Sequence, residues 1–81
     1  MAEQRLLDVV VLSPERLIFE GKAPHVILPG EAGVFEVLPF HKRLLSRLLP
    51  GSLIVGDEKI QIKRGVAKVG LNRVTIIIEE K

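Results

Sequence analysis

Six side chains in this 81-residue sequence carry groups that nucleophilic or acid–base catalysis could use. They are Ser13, Ser46, Ser52, Thr75, His25 and His41. No serine lies in a nucleophile-elbow motif, and Ser13 directly precedes Pro14, where a hydroxyl commonly stabilises a turn. We therefore assign structural roles to the three serines and expect no catalytic residue and no enzymatic activity.

Metal, cofactor and phosphate sites are not predicted either. Two histidines alone cannot hold a catalytic zinc, and a pairing of His41 with Glu31 or Glu36 is less favoured than a solvated loop. Residues 29–33 (PGEAG) carry two glycines but lack the Lys-Ser/Thr of a phosphate-binding loop, and Glu31 would repel phosphate. Because Gly30 and Gly33 permit backbone that a side chain would make costly, the segment indicates a tight turn at the surface.

Composition restricts the class of protein. Hydrophobic residues make up 47% and charged residues 27%, which excludes a disordered chain. The absence of cysteine excludes disulfides and thiolate chemistry. No apolar run reaches the roughly 20 residues of a membrane-spanning helix, and the first residues lack the layout of a signal peptide. We expect one small, soluble, intracellular domain that spans residues 1–81.

Short strands are the predicted elements. Gly and Pro divide the chain into pieces of about four to ten residues that are rich in β-branched side chains, as in an all-β sandwich or barrel. Residues 59–63 (KIQIK) alternate, which places Ile60 and Ile62 on a core face. Residues 9–12 and 74–78 are apolar on both faces, so each is expected to lie centrally or under a partner protein.

Residues 40–49 contain two features that the β pattern does not explain. Apolar pairs recur four residues apart over residues 44–49, with cations between them, which favours a short amphipathic helix ended by Pro50 and Gly51. The preceding residues 40–43 (FHKR) follow Pro39 and are either a solvated turn or a docking surface, since aromatic residues and Arg are enriched at interfaces.

The order of the motifs resembles a known family. Residues 11–21 (VLSPERLIFEG) look like the opening of the epsilon subunit of F-type ATP synthases, which is called delta in mitochondria. Residues 27–41 (ILPGEAGVFEVLPFH) are similar to that family's Leu-Pro-Gly-x-x-Gly-x-Phe-Gly-Val-Leu-Pro-Gly-His stretch. Residues 44–54 and 65–76 resemble the Leu-Leu-x-x-Leu-x-Pro-Gly-x-Leu and Asn-x-Val-Thr-Val motifs that follow it. The resemblance runs from residue 7 to residue 78.

The resemblance implies the family's N-terminal domain, an all-β, flattened β-sandwich of about ten short strands without the C-terminal helical hairpin. It implies extended backbone over residues 44–49 instead of a helix. The implied role is that of a non-catalytic central-stalk subunit of a proton- or sodium-translocating F-type ATP synthase. It would couple the c-ring to the gamma subunit during ATP synthesis or hydrolysis, at the cytoplasmic face of the inner (cell) membrane. ATP binding is not expected without the hairpin, nor is a cofactor, a small-molecule substrate or nucleic acid.

Two loops form the docking surface that the resemblance implies for the c-ring and gamma. Its residues are Gly30, Glu31, Gly33, Val34, Phe40, His41, Lys42, Arg43 and Leu44. This chain departs from the family there, since Phe40 occupies a glycine position and Lys42 and Arg43 replace Ala-Pro. Val34 occupies a position that is often polar. These departures suggest a variant partner, as in an alternative or sodium-type ATPase.

A nucleic-acid-binding β-barrel is the alternative hypothesis. Its binding surface would consist of Lys42, Arg43, Arg47, Lys63, Arg64 and Lys68. The net charge of +2 and the absence of Tyr and Trp do not favour it, because such domains commonly combine a basic face with stacking aromatic residues.

Overall fold

The computed structural model describes residues 5–81 of the chain. These residues form eight β-strands and no helix. The strands are β1 (Leu7–Leu12), β2 (Leu17–Ala23), β3 (Val26–Gly30), β4 (Gly33–Val37), β5 (Leu44–Leu48), β6 (Gly51–Val55), β7 (Glu58–Gly70) and β8 (Arg73–Glu80). The prediction of an all-β fold is therefore confirmed. Within these residues there is also no helix with the length and hydropathy to cross a membrane.

The strands form one continuous hydrogen-bonded sheet that folds over on itself. Its order is β2-β1-β8-β7-β5-β3-β4, and β6 joins β3 to β7. β1 and β8 are parallel, whereas the other pairs are antiparallel. One layer of the sandwich contains β2, β1, β8, the second half of β7 and β5. The other layer contains β4, β3, β6 and the first half of β7. The domain is flattened, with extents of 41 × 26 × 19 Å.

Strand β7 belongs to both layers. Along one edge, its first five residues pair with β6, and residues 65–69 pair with β5. Its other edge pairs with β8, with a register shift between Ile62 and Arg64. The sandwich therefore has eight strands where the resemblance implied about ten, and the 13 residues of β7 account for one of the missing strands, because they pair with β6 and then with β5.

The core between the layers is aliphatic. On β1 the inward residues are Leu7, Val9 and Val11, and β8 contributes a matching inward row, so alternate side chains of both strands are buried. Both strands lie between two neighbours in the sheet, as the apolar runs predicted. Ile62 is fully buried and Ile60 packs against the core, which confirms the face predicted from residues 59–63.

The amphipathic helix predicted from the pattern of residues 44–49 is wrong, and the extended form implied by the resemblance is correct. Residues 44–48 are β5, which runs antiparallel to β7. Leu44 and Leu48 face inward while Leu45 is exposed. A spacing of four residues places two side chains on one face of a helix and also on one face of a strand, so the leucine pattern fits both. Pairing with β7 decides between them.

The turn role predicted for Ser13 is also confirmed. Its Oγ accepts hydrogen bonds from the main-chain N–H groups of Glu15, at 3.2 Å, and Arg16, at 3.1 Å. The hydroxyl thus satisfies two backbone donors in the connection between β1 and β2.

Replacing Gly65 by alanine should destabilise the fold, since a Cβ at Gly65 would lie 2.6 Å from the carbonyl oxygen of Ile77 and 2.9 Å from Cγ2 of Ile78. We expect Gly65→Ala to lower the free energy of unfolding by about 1–3 kcal/mol in urea titrations. Gly70→Ala is the matched control on the same strand, because its Cβ would have 3.8 Å to the nearest atom. Equal stability of the two variants would contradict the close approach of β7 and β8.

Acid should weaken the attachment of edge strand β2. Lys22 Nζ donates to Asp8 Oδ1 at 2.6 Å, and this bond, with the charges of Lys22 and Arg73, lowers the pKa of Asp8 below its usual 3.8. Because the pKa of Asp8 is lower in the folded state, its ionised carboxylate stabilises the fold at pH values above the ordinary pKa. This stabilisation is lost as the pH falls through the lowered pKa. The urea midpoints of wild type and Asp8→Asn should therefore differ at pH 7 and converge in acid. A constant difference would exclude a contribution from this ionisation.

Candidate functional site

A groove on the open side of the sandwich collects six of the nine residues predicted to dock a partner. It has a volume of about 820 Å³ and lies between the β3–β4 turn and strand β5. The predicted residues that line it are Gly30, Glu31, Gly33, Val34, His41 and Leu44. Glu31 and Val34 are exposed in it, and the exposed fraction of Val34 is 73%. The structure thus brings one loop and part of the other into a single surface, which we call the first groove.

The two glycines of the β3–β4 turn serve different purposes. A Cβ at Gly30 would lie 2.7 Å from the ring of Phe35, so Gly30 is needed for close packing. Gly33 has open space around its Cα but a φ of 125°, which side chains rarely allow. Together they hold Glu31 outward at the tip of a tight turn, as predicted.

A second groove of about 610 Å³ lies on the other side of β5. Arg43 and Lys68 are its cations, and Leu44, Leu45 and Leu71 are among its apolar residues. Leu44 and Leu45 line both grooves, so β5 forms the ridge between them. Sequence analysis missed Leu71 and Leu45, because an exposed leucine in a turn or strand has no distinguishing pattern.

Phe40 and Lys42 line neither groove. The main-chain N–H of Phe40 donates to Oδ1 of Asn72 at 3.3 Å, and the Arg5 guanidinium lies 5.3 Å from the centroid of the Phe40 ring. Asn72 lies in the turn between β7 and β8 and has a positive φ of 51°. The contact between Asn72 and Phe40, which are 32 residues apart, had no signal in the sequence.

His41 is held locally. Its main-chain N–H donates to the carbonyl of Leu38 at 3.1 Å, and ring Nδ1 lies 2.7 Å from the carbonyl oxygen of Lys42, to which it can donate. Over residues 5–81, no group of three or more His, Asp or Glu side chains is arranged to hold a metal ion. The site can therefore offer shape, apolar contact and charge to a partner surface.

The outer face of the first layer carries an apolar stripe. Leu12 of β1 lies opposite Ile77 of β8, and Ile77 lies opposite Val66 of β7; Leu17 of β2 is the neighbour of Leu12. Leu17 and Ile77 are each about half exposed. This apolar stripe explains why residues 9–12 and 74–78 do not alternate, since their second face is only partly covered within the domain.

The six cations of the nucleic-acid hypothesis do not act as one surface. Lys63 and Arg64 form ion pairs with Glu79, at 3.9 and 3.1 Å. Arg43 and Lys68 line the second groove, whereas Arg47 lines the first. Because Lys63 and Arg64 share one carboxylate, and Arg43, Lys68 and Arg47 are divided between two grooves lined with apolar residues, the arrangement does not favour a phosphate backbone as ligand.

Comparison with known proteins assigns the family. Residues 6–80 match the family model described as the ATP synthase, Delta/Epsilon chain, beta-sandwich domain. The chain belongs to this family. A relative from Bordetella parapertussis, an ATP synthase epsilon chain, is 40% identical over 78 residues, which are 90% of this chain and 56% of the relative. One from Maricaulis maris is 39% identical over 84 residues, covering 99% of this chain and 62% of the relative.

Solved structures share the fold of this epsilon-family chain. A chain of the Tetrahymena thermophila mitochondrial ATP synthase central stalk and c-ring superposes with a TM-score of 0.82 at 13% identity, over 98% of this chain and 67% of that one. A chain of the Euglena gracilis mitochondrial ATP synthase gives 0.82 at 23% identity, over 93% and 51%. The resemblance of the sequence to the family's β-sandwich domain is thus confirmed. The chain spans between 54% and 62% of the length of the relatives it matches.

Position 40 should favour glycine over alanine as a replacement, because the φ of 66° at Phe40 lies in the left-handed region. We expect Phe40→Gly to be more stable than Phe40→Ala by about 1 kcal/mol in urea unfolding. Leu45, exposed on β5 with ordinary backbone, is the control position. There the alanine variant should be the more stable by about 0.5–1 kcal/mol. The same order at both positions would show that Phe40 is unstrained.

Proposed function

We propose that this chain is a non-catalytic rotor subunit of an F-type ATP synthase, which couples a c-ring to a gamma subunit during ATP synthesis or hydrolysis. The observation that carries the proposal is the family match over residues 6–80. The names of the relatives, ATP synthase epsilon chain, and the central-stalk and c-ring titles of the structures of the same fold support it. The 81 residues act as one domain, peripheral to the cytoplasmic face of the inner membrane, and bind no ATP.

The fold suits the transmission of torque. Its core is a dense block of aliphatic side chains, and close-packed interiors resist deformation. Strand β7 runs through both layers, so force applied to one layer reaches the other through the covalent backbone as well as through packing. A body of this kind moves as a unit when one surface is pushed and another is held.

Two surfaces, which meet at Val66, are available for the two partners. The first groove, with the neighbouring residues Phe40, Lys42 and Arg43, is the proposed contact with the ring. The apolar stripe is the proposed contact with gamma, since interface cores are rich in apolar residues and Leu17 and Ile77 are half exposed. Exposed ion pairs contribute only about 0–1 kcal/mol each, so apolar residues such as Val34 and Ile77 would supply most of the affinity.

A substitution in one of these surfaces should weaken binding only of the partner assigned to that surface. We expect Val34→Glu to weaken capture of the c-ring by at least about tenfold and to leave capture of isolated gamma unchanged. Ile77→Lys should do the reverse. Lys59→Glu is the control, because Lys59 is exposed and lies in neither surface. Thermal unfolding of each variant verifies that the fold is retained.

Two results would overturn the proposal. Undiminished capture of both partners by Val34→Glu and Ile77→Lys would show that the surfaces are wrongly assigned. Failure of the wild-type chain to bind either partner would reject the rotor function itself.

A further inference from the structure

Within residues 5–81, the outer edge of strand β2 has no neighbouring strand. β2 ends the sheet, and its one strand partner is β1. The main-chain N–H of Asp8 on β1 donates to the carbonyl that precedes β8, at 3.1 Å, so Asp8 faces β8 and the next residue, Val9, faces β2. Val9 lies opposite Gly21, which is therefore bonded to β1. Because main-chain groups alternate along a strand, those of Glu20 and Lys22 point to the free edge.

Opposite charges flank Gly21 on this edge. Glu20 and Lys22 are exposed, and their side chains lie on the outer face of the sandwich. Lys22 Nζ donates to Asp8, and Asp8 lies opposite Arg73 of β8, so the sign of the charge alternates across three strands. A carboxylate beyond Lys22 would continue this row. Glu20 lies opposite an apolar residue of β1, and the four ion pairs of residues 5–81 do not involve it.

The charge pattern of this edge is complementary to itself under twofold symmetry. When two copies of β2 pair antiparallel about an axis at Gly21, Glu20 of each copy lies opposite Lys22 of the other. Each such pair would exchange two main-chain hydrogen bonds and would bring a carboxylate and an ammonium group together on the outer face. The neighbouring registers place Glu20 opposite Glu20, or Lys22 opposite Lys22, which is unfavourable. The charges therefore select one register.

The strand at the other end of the sheet, β4, lacks this complementarity. Its one charged residue is Glu36, so a pair of β4 strands would offer that carboxylate no cation. The edge of β2 also borders a hollow of about 300 Å³, in which Asp8, Lys22 and Arg73 are among the lining residues. A side chain from a second strand would have room there beside Lys22.

We propose that two free copies of this chain pair through the edges of their β2 strands and form a symmetric dimer. The first layers of the two copies then become one continuous sheet, which covers the main-chain groups that a terminal strand leaves open. β2 lines neither groove, so the second copy meets a surface distinct from the proposed contact with the ring. The dimer is a property of the chain alone and does not depend on the rotor function.

Sedimentation equilibrium of the full chain tests the dimer. We expect the mass of the wild type to rise with concentration towards twice the 9.0 kDa of one chain. Glu20→Lys should weaken dimerisation by about tenfold or more, because the edge of β2 then carries cations alone. Glu36→Lys is the matched control, since it makes the same change of charge on β4 and should dimerise like the wild type. Equal losses from the two variants would show that net charge, and not the edge of β2, controls association, and would overturn the proposal.

A complementary variant provides a rescue. Asp8→Asn/Lys22→Glu leaves carboxylates alone on the edge and should also be monomeric, while Asp8→Asn prevents repulsion between β1 and β2. A mixture of this variant with Glu20→Lys should form a heterodimer with about the affinity of the wild-type dimer, because each chain supplies the charge that the other lacks. Thermal unfolding verifies that both variants are folded. Folded variants that do not associate when mixed would contradict the pairing.

Gly21→Cys tests the position of the axis, and the natural sequence contains no cysteine that could compete. The two Cα atoms at position 21 would lie about 4.5 Å apart, a distance that a disulfide can span. A Cβ at Gly21 would have ordinary contact with the ring of Phe19, at 3.5 Å. Gly21→Cys should therefore form disulfide-linked dimers faster than Glu36→Cys. Equal rates would reject the register and the proposal with it.

Two further outcomes would also overturn the proposal. A wild-type chain that stays monomeric at every concentration would show that the charges of β2 keep the edge unpaired. If the chain alone is monomeric and Glu20→Lys weakens capture of isolated gamma, the edge belongs to gamma and not to a second copy. Failure of the chain to capture gamma and the c-ring would reject the rotor function and leave the mass measurements unaffected, so the two proposals fail separately.

Discussion

The pairing of β7 with three other strands is the constraint on which this structure depends. One edge of the strand is shared by β6 and β5, and the other is paired with β8, so a single stretch of backbone joins both layers. Gly65 lies where the partner along the first edge has changed from β6 to β5, and the carbonyl of Ile77 leaves no space there for a Cβ. The aliphatic core is enclosed because this strand holds the two layers in register.

Within the described residues, the core is aliphatic, and nearly all polar and charged side chains lie at the surface. The buried hydrophobic residues have no reactive groups, and the one buried hydroxyl residue, Ser13, satisfies backbone donors in a turn. Most of the exposed large apolar residues among residues 5–81 lie in the apolar stripe, in the two grooves or in the loop that contains Leu38 and Phe40. Under the proposed rotor function, the domain would act through the shape and spacing of its contact surfaces.

Phe40 shows how one substitution can alter such a surface without altering the fold. The left-handed backbone at this position suits the glycine that the family motif carries, yet the chain keeps that backbone with a phenylalanine. The hydrogen bond from Phe40 to Asn72 and the approach of Arg5 maintain the conformation and direct an aromatic ring outward. The turn thus keeps a left-handed backbone while its tip carries a large, exposed apolar side chain.

The sequence by itself determined the β class, the core face of Ile60 and Ile62, the turn at Ser13 and the family, because these follow from local patterns of side chains and from motif order. It could not decide whether residues 44–49 form a helix or a strand, since leucines four residues apart fit both equally. Only the pairing of β5 with β7 decides between the two. It also grouped nine docking residues, of which six line the first groove, Arg43 lines the second, and Phe40 and Lys42 line neither. The contacts of Asn72 with Phe40 and Leu6 span 32 and 66 residues. Such contacts arise from how the sheet folds, and no local pattern in the chain encodes them.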